Sequence, residues 1–157
     1  MNNPVSIFDL LNDNSYSIPL YQRNFAWTDA EITQLIIDVL DSIKDNRSEY
    51  FIGTLVVSKK DNVYSIIDGQ QRFTAILLIA LAIQNKYPSR TKRFEKIKKI
   101  NLSFSARKRS NEILNGLLKN EINTEKITDD ESLCRDELLC GYDETVSAIN
   151  EHIIESS

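Results

Sequence analysis

The stretch Tyr64-Ser-Ile-Ile-Asp-Gly-Gln-Gln-Arg-Phe-Thr-Ala-Ile-Leu-Leu-Ile-Ala-Leu-Ala-Ile83 decides the fold. Its first residues are β-branched and are followed by Gly69, which predicts a strand that stops at a tight turn. From Phe73 to Ile83 only Thr74 is polar, which predicts a helix buried around most of its circumference. The polar residues 68–72 therefore form the turn between a strand and a buried helix.

This turn has the features of an anion site. The first amides of a helix have no partner within the helix, and Gly69 lets the backbone approach a ligand closely. Arg72 adds a forked positive side chain, so a phosphate would satisfy all of these groups. The alternative interpretation is structural: Asp68 caps the helix, and Arg72 forms an ion pair with a carboxylate.

The residues upstream predict two helices and an extended segment. Ser6 is a helix cap for the residues that follow it, and Thr28-Asp-Ala-Glu31 is a capping box that opens an amphipathic helix ending near Asp45. Between these helices the chain from Tyr16 to Arg23 is predicted to be extended. Pro19 places that strand at a sheet edge or at a change of direction, because proline cannot donate a backbone hydrogen bond.

Aromatic residues surround Gln22 and Arg23 within a short segment. Tyr21, Phe25 and Trp27 are side chains of the recognition type, but large rings mostly fill cores, so the core interpretation is favoured for them. In that interpretation Arg23 forms a structural ion pair.

A β-hairpin is predicted to deliver the chain to the polar turn. Tyr50–Val57 is rich in β-branched and aromatic residues, 59–62 is a polar turn, and 63–67 returns as the second strand. Gly53 indicates a bulge, or a close approach by another group such as a ligand.

Beyond Pro88 the pattern predicts helices and one short strand. Lys92, Lys96 and Lys99 would share a helical face, residues 101–104 form an edge strand, and residues 113–118 lie on an amphipathic helix. We predict one domain over residues 1–119. The acidic residues 120–157 are predicted to form one or two peripheral helices, and a truncated helical region is one interpretation of this extension.

Composition bounds the class of protein. The chain has 157 residues, of which 41% are hydrophobic and 27% are charged, as is typical of a globular domain. Its longest apolar run is too short for a bilayer, and its N-terminus does not read as a signal peptide. Two cysteines and one histidine favour neither a disulfide framework nor a His-based metal site. A cytoplasmic protein without membrane contact is expected.

Charge is distributed unevenly along the chain. Residues 86–119 hold eleven Lys or Arg against two Asp or Glu, a net of +9, whereas residues 120–157 hold two against eleven, a net of −9. The basic segment is therefore a candidate for contact with nucleic acid, but it can equally pair with the acidic tail or be solvated. The candidate DNA contacts are Lys92, Lys96, Lys99, Arg107, Lys108 and Arg109.

Three blocks together resemble the N-terminal domain of GmrSD-type restriction endonucleases. They are Ile18-Pro-Leu-Tyr-Gln-Arg23 with Trp27, Phe51-Ile-Gly-Thr-Leu-Val56, and Ile67-Asp-Gly-Gln-Gln-Arg-Phe-Thr74, and the resemblance covers about residues 5–118. It implies an α+β fold of the ParB and sulfiredoxin type, with a small mixed, mostly antiparallel sheet flanked by helices. It also implies nucleoside triphosphate binding, with hydrolysis coupled to restriction of foreign DNA.

The resemblance also implies a set of site residues. The nucleotide would be bound by Tyr21, Gln22, Arg23, Gly53, Gly69, Gln70, Gln71, Arg72 and Thr74. Asp68, Gln71 and Arg72 would be the catalytic residues, and Asp68 would also hold Mg²⁺ or orient water.

Proteins of this family usually continue into a helical region and a His-Asn-His-type nuclease domain. His152 stands outside such a motif, so this chain is not expected to cut DNA by that route. It would act with a nuclease-bearing partner, as part of a longer protein, or as a regulator. A dimer is one arrangement that would bury the apolar residues of the tail. The alternative to nucleotide binding is a non-catalytic module that binds DNA or protein through residues 86–119.

Overall fold

A computed structural model describes residues 3–89, 96–122 and 136–154. Within these ranges the α-helices are α1 (Ile7–Asn12), α2 (Asp29–Lys44), α3 (Gln70–Lys86), α4 (Lys108–Leu118) and α5 (Glu137–Ile149), and α5 continues into a π-helical turn, Asn150–Ile154. The strands of the same ranges are β1 (Ser15–Ile18), β2 (Val56–Lys60), β3 (Val63–Asp68) and β4 (Leu102–Phe104). The predicted α+β class is confirmed.

The four strands form one mixed sheet in the order β2-β3-β1-β4. β2 and β3 are the predicted antiparallel hairpin, whereas β1 pairs in parallel with both β3 and β4, so parallel pairings outnumber the antiparallel one. β4 lies at the edge as expected. β1 lies inside the sheet and ends at Ile18, so the extended segment predicted to reach Arg23 is shorter than expected. Of the two alternatives predicted for Pro19, the edge position is wrong and the change of direction is confirmed, because the chain turns there.

The predicted first strand of the hairpin begins too early. Regular structure starts at Val56, and β2 then includes Lys59 and Lys60, which were expected in the turn. The reason lies at Gly53, whose φ of +140° takes the backbone out of the strand conformation. The segment then packs against the start of α3, where the Thr54 carbonyl oxygen lies 2.8 Å from an ideal Cβ built on Gly69.

Helix α3 is the centre of the core, as its apolar sequence predicted. Phe73, Leu77, Leu78 and Leu81 are each at most 2% exposed. One side of the helix faces the sheet, with the ring centroids of Tyr16 and Phe73 5.0 Å apart, and α3 also packs on α5. α3 begins at Gln70, three residues before Phe73, and its C-cap is Tyr87, which directly precedes Pro88.

Helix α5 belongs to the core, so the prediction of peripheral helices is wrong for it. It packs against α2 and α3, and Leu138, Leu139 and Tyr142 are almost fully buried. Asn85 of α3 donates hydrogen bonds to the Tyr142 hydroxyl at 3.1 Å and to the Leu117 carbonyl at 2.7 Å, which joins three helices. The boundary predicted between residues 119 and 120 stays a prediction.

Three further predictions concern the helix caps, the lysine-rich segment and membrane-spanning helices. The caps of α1 and α2 are confirmed: Ser6 accepts from the Asp9 amide at 3.1 Å, and Glu31 accepts from the Thr28 amide at 2.8 Å. Lys96 and Lys99 lie in a non-helical segment, so the helix predicted there is wrong, and Lys92 lies outside the described residues. None of the helices in the described ranges is long and apolar enough to cross a bilayer.

The packing of α5 on α2 leads to a pH-dependent prediction. Partial burial, together with the carboxylates of Asp29, Glu31 and Asp143, raises the pKa of Glu144 above its ordinary value. Ionisation of Glu144 therefore costs stability in the folded state, a cost that is absent below the unfolded-state pKa and grows as pH rises through the folded-state pKa. Glu144→Gln should raise Tm at pH 7.

Thermal unfolding of both proteins between pH 3.5 and 7 measures this effect. The Tm advantage of Glu144→Gln should shrink towards zero on acidification, because Glu144 is then protonated in both states. Glu121→Gln, which changes an exposed glutamate, is the control and should show no such trend. A lower Tm for Glu144→Gln at pH 7 would contradict the account.

Candidate functional site

The three sequence blocks meet at one cleft of about 660 Å³. The cleft follows the end of β3 and the start of α3, where the polar turn was predicted. Its lining residues are Gln22, Arg23, Trp27, Thr54, Ile67, Asp68, Gly69, Gln70, Gln71 and Arg72. The loop after β1, the segment before β2 and the β3–α3 junction thus each contribute a wall.

The start of α3 is open to this cleft. Gly69 is the N-cap, with φ +92°, and no side chain in the described ranges caps the helix. The alternative in which Asp68 caps α3 is therefore not realised. The amides of Gln70, Gln71 and Arg72 lack intrahelical partners because they lie in the first turn, and the positive end of the helix dipole adds to them.

Arg72 lies beside the glycine of the preceding segment. An ideal Cβ on Gly53 would come within 2.8 Å of Cζ of Arg72, so Gly53 makes room for the guanidinium. The close approach predicted for Gly53 is therefore made by Arg72. Arg72 is half-buried, and among the described residues it forms no ion pair, so the alternative of a carboxylate partner is not realised there. Arg23 is exposed and likewise has no ion pair within these ranges.

The Gln71 side chain is occupied by the opposite wall. Its Nε2 donates to the Asn24 carbonyl at 2.9 Å, and its Oε1 accepts from the Ala26 amide at 2.7 Å. Gln71 thereby fixes the loop that leads from Arg23 to Trp27. Its predicted roles in phosphate binding and catalysis stay predictions, and its main-chain amide is the group that remains available at the helix start.

The Gln70 side chain is only 7% exposed and holds the same loop more loosely. Its Nε2 donates to the Arg23 carbonyl at 3.3 Å, while its Oε1 is buried without a hydrogen-bond partner in the described part of the chain. A buried polar atom without a partner costs stability. Gln70 thus keeps one buried acceptor beside the cleft that no donor of the described residues satisfies.

Three of the remaining predicted residues lie in different environments. Gln22 reaches across the cleft, where its Nε2 donates to the Ile67 carbonyl at 2.9 Å. Thr74 is 1% exposed and donates its hydroxyl to the Gln70 carbonyl at 2.8 Å, so its side chain faces the helix backbone.

Tyr21 is 76% exposed and lies outside the lining of the cleft, so the prediction that it fills the core is wrong. That interpretation is confirmed for Phe25, which is 3% exposed.

Asp68 is an exposed carboxylate at the rim of the cleft. No group of three or more His, Cys, Asp and Glu side chains in the described ranges is placed to hold a metal ion. Mg²⁺ is often held by only one or two carboxylates together with the phosphates of a substrate. Asp68 suits that arrangement, and its role with a metal stays a prediction.

The basic segment divides into inward and outward side chains. Arg107 is half-buried and donates through Nη2 to the carbonyls of Leu20 and Gln22. Nε of Arg109 lies 3.6 Å from Asp136, which provides one contact between the basic segment and the acidic tail. Lys96, Lys99 and Lys108 are exposed. Contact with DNA stays a prediction for all of them.

Sequence reasoning missed two contributions to this site. Thr54 lines the cleft because its segment packs on α3, and Arg107 holds the loop after β1. The only local signal for Thr54 was its position next to Gly53. The contact of Arg107 was not predicted, because its partners are main-chain carbonyls 85 and 87 residues away.

The fold and the cleft define a class of protein. It is an α+β domain in which two arginines and the start of α3, which has no side-chain cap in the described ranges, line one polar cleft beside a mixed sheet. The sequence profile described as "GmrSD restriction endonuclease, N-terminal domain" matches residues 7–156. The chain belongs to this family, and the match extends through the acidic tail, beyond the segment that the resemblance covered. Membership supports a role in restriction and phage defence. No curated protein sequence matches the chain.

Proposed function

We propose that this domain binds a nucleoside triphosphate for a DNA restriction system, with the phosphates at the start of α3. The observation that supports this most strongly is the cleft itself. An uncapped helix N-terminus opens into about 660 Å³ of space between Arg23 and Arg72, and neither arginine has an ion pair within the described ranges. That volume lies within the range of about 300–1,000 Å³ typical of small-molecule sites.

The charges of the cleft suit a polyphosphate. Main-chain amides at a helix start bind phosphate oxygens, and a guanidinium offers two parallel donors to the same group. The flexible side chain of Arg23 can reach a second phosphate from the opposite wall. Asp68 is then the residue that holds Mg²⁺ against the phosphates, as is common for this ion.

Hydrolysis is the further step in this proposal. Catalysis of phosphoryl transfer depends mainly on positioning and on neutralisation of charge, which Arg72 and a magnesium ion would supply. A magnesium ion held by Asp68 would polarise the phosphate oxygens, and orientation of the attacking water is the alternative role of this carboxylate. The bond that breaks is the phosphoanhydride, and the products are a nucleoside diphosphate and inorganic phosphate.

Calorimetric titration tests the binding step. The folded chain should bind ATP, GTP, CTP or UTP in the presence of magnesium, and it should also bind inorganic tripolyphosphate, which carries the charge without a base. Trp27 is the only tryptophan and lines the cleft, so its fluorescence should change with the same affinity. Absence of binding for all five ligands, with the protein folded, would overturn the proposal.

A second candidate function is DNA or protein binding through residues 86–119, which carry a net charge of +9. Lys96, Lys98 and Lys99 are exposed on one short segment, and this favours contact with a polyanion. Such binding should weaken steeply with salt, because each phosphate contact releases counterions. DNA affinity that is unchanged between 50 and 200 mM salt would exclude it.

A further inference from the structure

The turn after β1 is held in place by polar contacts and receives little support from apolar burial. Leu20 and Tyr21 at its tip are 62% and 76% exposed. Within the turn, the Gln22 amide donates to the Pro19 carbonyl at 3.1 Å. Because this turn leads directly to Arg23, its geometry contributes to the position of that guanidinium relative to the start of α3, together with the hydrogen bonds that Gln70 and Gln71 form with the main chain of residues 23–26.

Arg107 holds this turn from the opposite side of β1. Its Nη2 donates to the Leu20 carbonyl at 3.3 Å and also to the Gln22 carbonyl. Gln22 in turn donates through Nε2 to the Ile67 carbonyl at 2.9 Å, one residue before Asp68. A continuous set of hydrogen bonds therefore runs from Arg107, through Gln22, to the end of β3 at the cleft.

Hydrogen bonds also fix the backbone on which Arg107 lies. The Asn111 side chain accepts from the Phe104 amide at 2.7 Å and donates to the Phe104 carbonyl at 3.0 Å, which fixes the junction of β4 and α4. The Ser105 amide donates to the Ile18 carbonyl at 2.9 Å and joins this junction to the end of β1. The guanidinium also lies over the Phe104 ring, 6.0 Å from its centroid. Such support limits the movement of a side chain that positions others.

We propose that Arg107 is a positioning residue for the cleft: its guanidinium sets the turn that places Gln22 and Arg23 opposite the start of α3. This inference rests on the proposed function for its effect on ligand binding. Its effect on the turn is independent of any ligand. It assigns to Arg107 a task different from the DNA contact suggested by its place in the basic segment.

Two measurements on Arg107→Ala test the proposal. The affinity for inorganic tripolyphosphate should fall about tenfold or more, as expected when a hydrogen bond from a charged group is lost. In the ligand-free protein, hydrogen exchange at the Gln22 amide should become about tenfold faster, because the turn opens more often. Arg107→Lys keeps the charge without the planar fork and should fall between the two proteins in both measurements.

Lys119→Ala is the matched control, since it removes one positive charge from the exposed end of α4. Equal losses of affinity in Lys119→Ala and Arg107→Ala would show an effect of charge alone and would overturn the proposal. So would unchanged exchange at Gln22 in Arg107→Ala. If Arg107→Ala does not fold, wild-type values in both measurements for Arg107→Lys would overturn it.

The outcomes also separate the two proposals. If the wild-type protein binds neither tripolyphosphate nor any of the four nucleoside triphosphates, the proposed function fails. Exchange at the Gln22 amide then still decides the inference: faster exchange in Arg107→Ala supports the positioning role, and unchanged exchange contradicts it.

Discussion

Replacement of Arg72 by alanine is expected to lower the affinity for magnesium triphosphates and for tripolyphosphate about 10- to 150-fold. A hydrogen bond to a charged group contributes about 1.5–3 kcal/mol, and each 1.4 kcal/mol is a factor of ten in affinity. The stability should change little, because Arg72 has no ion pair in the described ranges and lies at the edge of the core. Isothermal titration provides the affinity, and urea unfolding provides the stability.

Arg47→Ala is the control for Arg72→Ala. Arg47 is an exposed arginine beyond the end of α2, paired with Asp45 at 3.3 Å, and it does not line the cleft. Arg72→Lys should retain part of the affinity, since lysine keeps the charge but loses the bidentate geometry. Wild-type affinity in Arg72→Ala, or an equal loss in Arg47→Ala, would show that the phosphates are not bound at the start of α3.

A large loss of folding stability is expected for Gly69→Ala. Gly69 has φ +92°, a backbone conformation that costs another residue about 1–2 kcal/mol. The added Cβ would also lie 2.8 Å from the Thr54 carbonyl oxygen, which belongs to a backbone that cannot move cheaply. We expect the free energy of unfolding to fall by about 2 kcal/mol or more in urea denaturation.

Gly116→Ala is the matched control for this substitution. Gly116 lies inside α4, where alanine gains about 1 kcal/mol of helix propensity. Its added Cβ would meet side-chain atoms of Ile122, Cδ1 at 2.7 Å and Cγ1 at 2.9 Å, and no backbone atom. Gly116→Ala should therefore keep a stability close to that of the wild type. A loss in Gly69→Ala no larger than in Gly116→Ala would mean that the turn does not need glycine.

Local sequence was sufficient to predict the elements that carry the cleft. The apolar run after Phe73 predicts α3, the capping box at Thr28 predicts α2, and the β-branched pair before Asp68 predicts β3. In each case the signal lies within one helix or strand, because caps and hydrophobic periodicity act over a few residues. The position of the cleft between β3 and α3 followed from the same reasoning.

Contacts distant in sequence were not predicted. Tyr50–Leu55 has the composition of a strand, but the positive φ at Gly53 and the packing on Gly69 remove it from the sheet. Gln71 was predicted as a ligand contact, yet its side-chain amide forms hydrogen bonds with main-chain groups of a loop 45 and 47 residues away. Polar side chains that bond main-chain groups have no sequence periodicity, so only the structure separates them from ligand-binding residues.

The tail was misjudged for a related reason. Its acidic composition favoured a peripheral position, whereas the apolar residues of α5, among them Leu139 and Ile149, are 1% exposed against α2 and α3. A helix with one apolar stripe reveals that it needs a partner but not which partner it has. The fold of this domain therefore depends on residues that follow the recognised blocks.

The most direct test of phosphate binding at the start of α3 is an amide NMR titration of the folded chain with inorganic tripolyphosphate. The account predicts the largest shifts at the amides of Gln70, Gln71 and Arg72, with saturation at the calorimetric affinity and loss of these shifts in Arg72→Ala. Shifts that are confined to Lys108–Lys119, with the α3 amides unmoved, would contradict it.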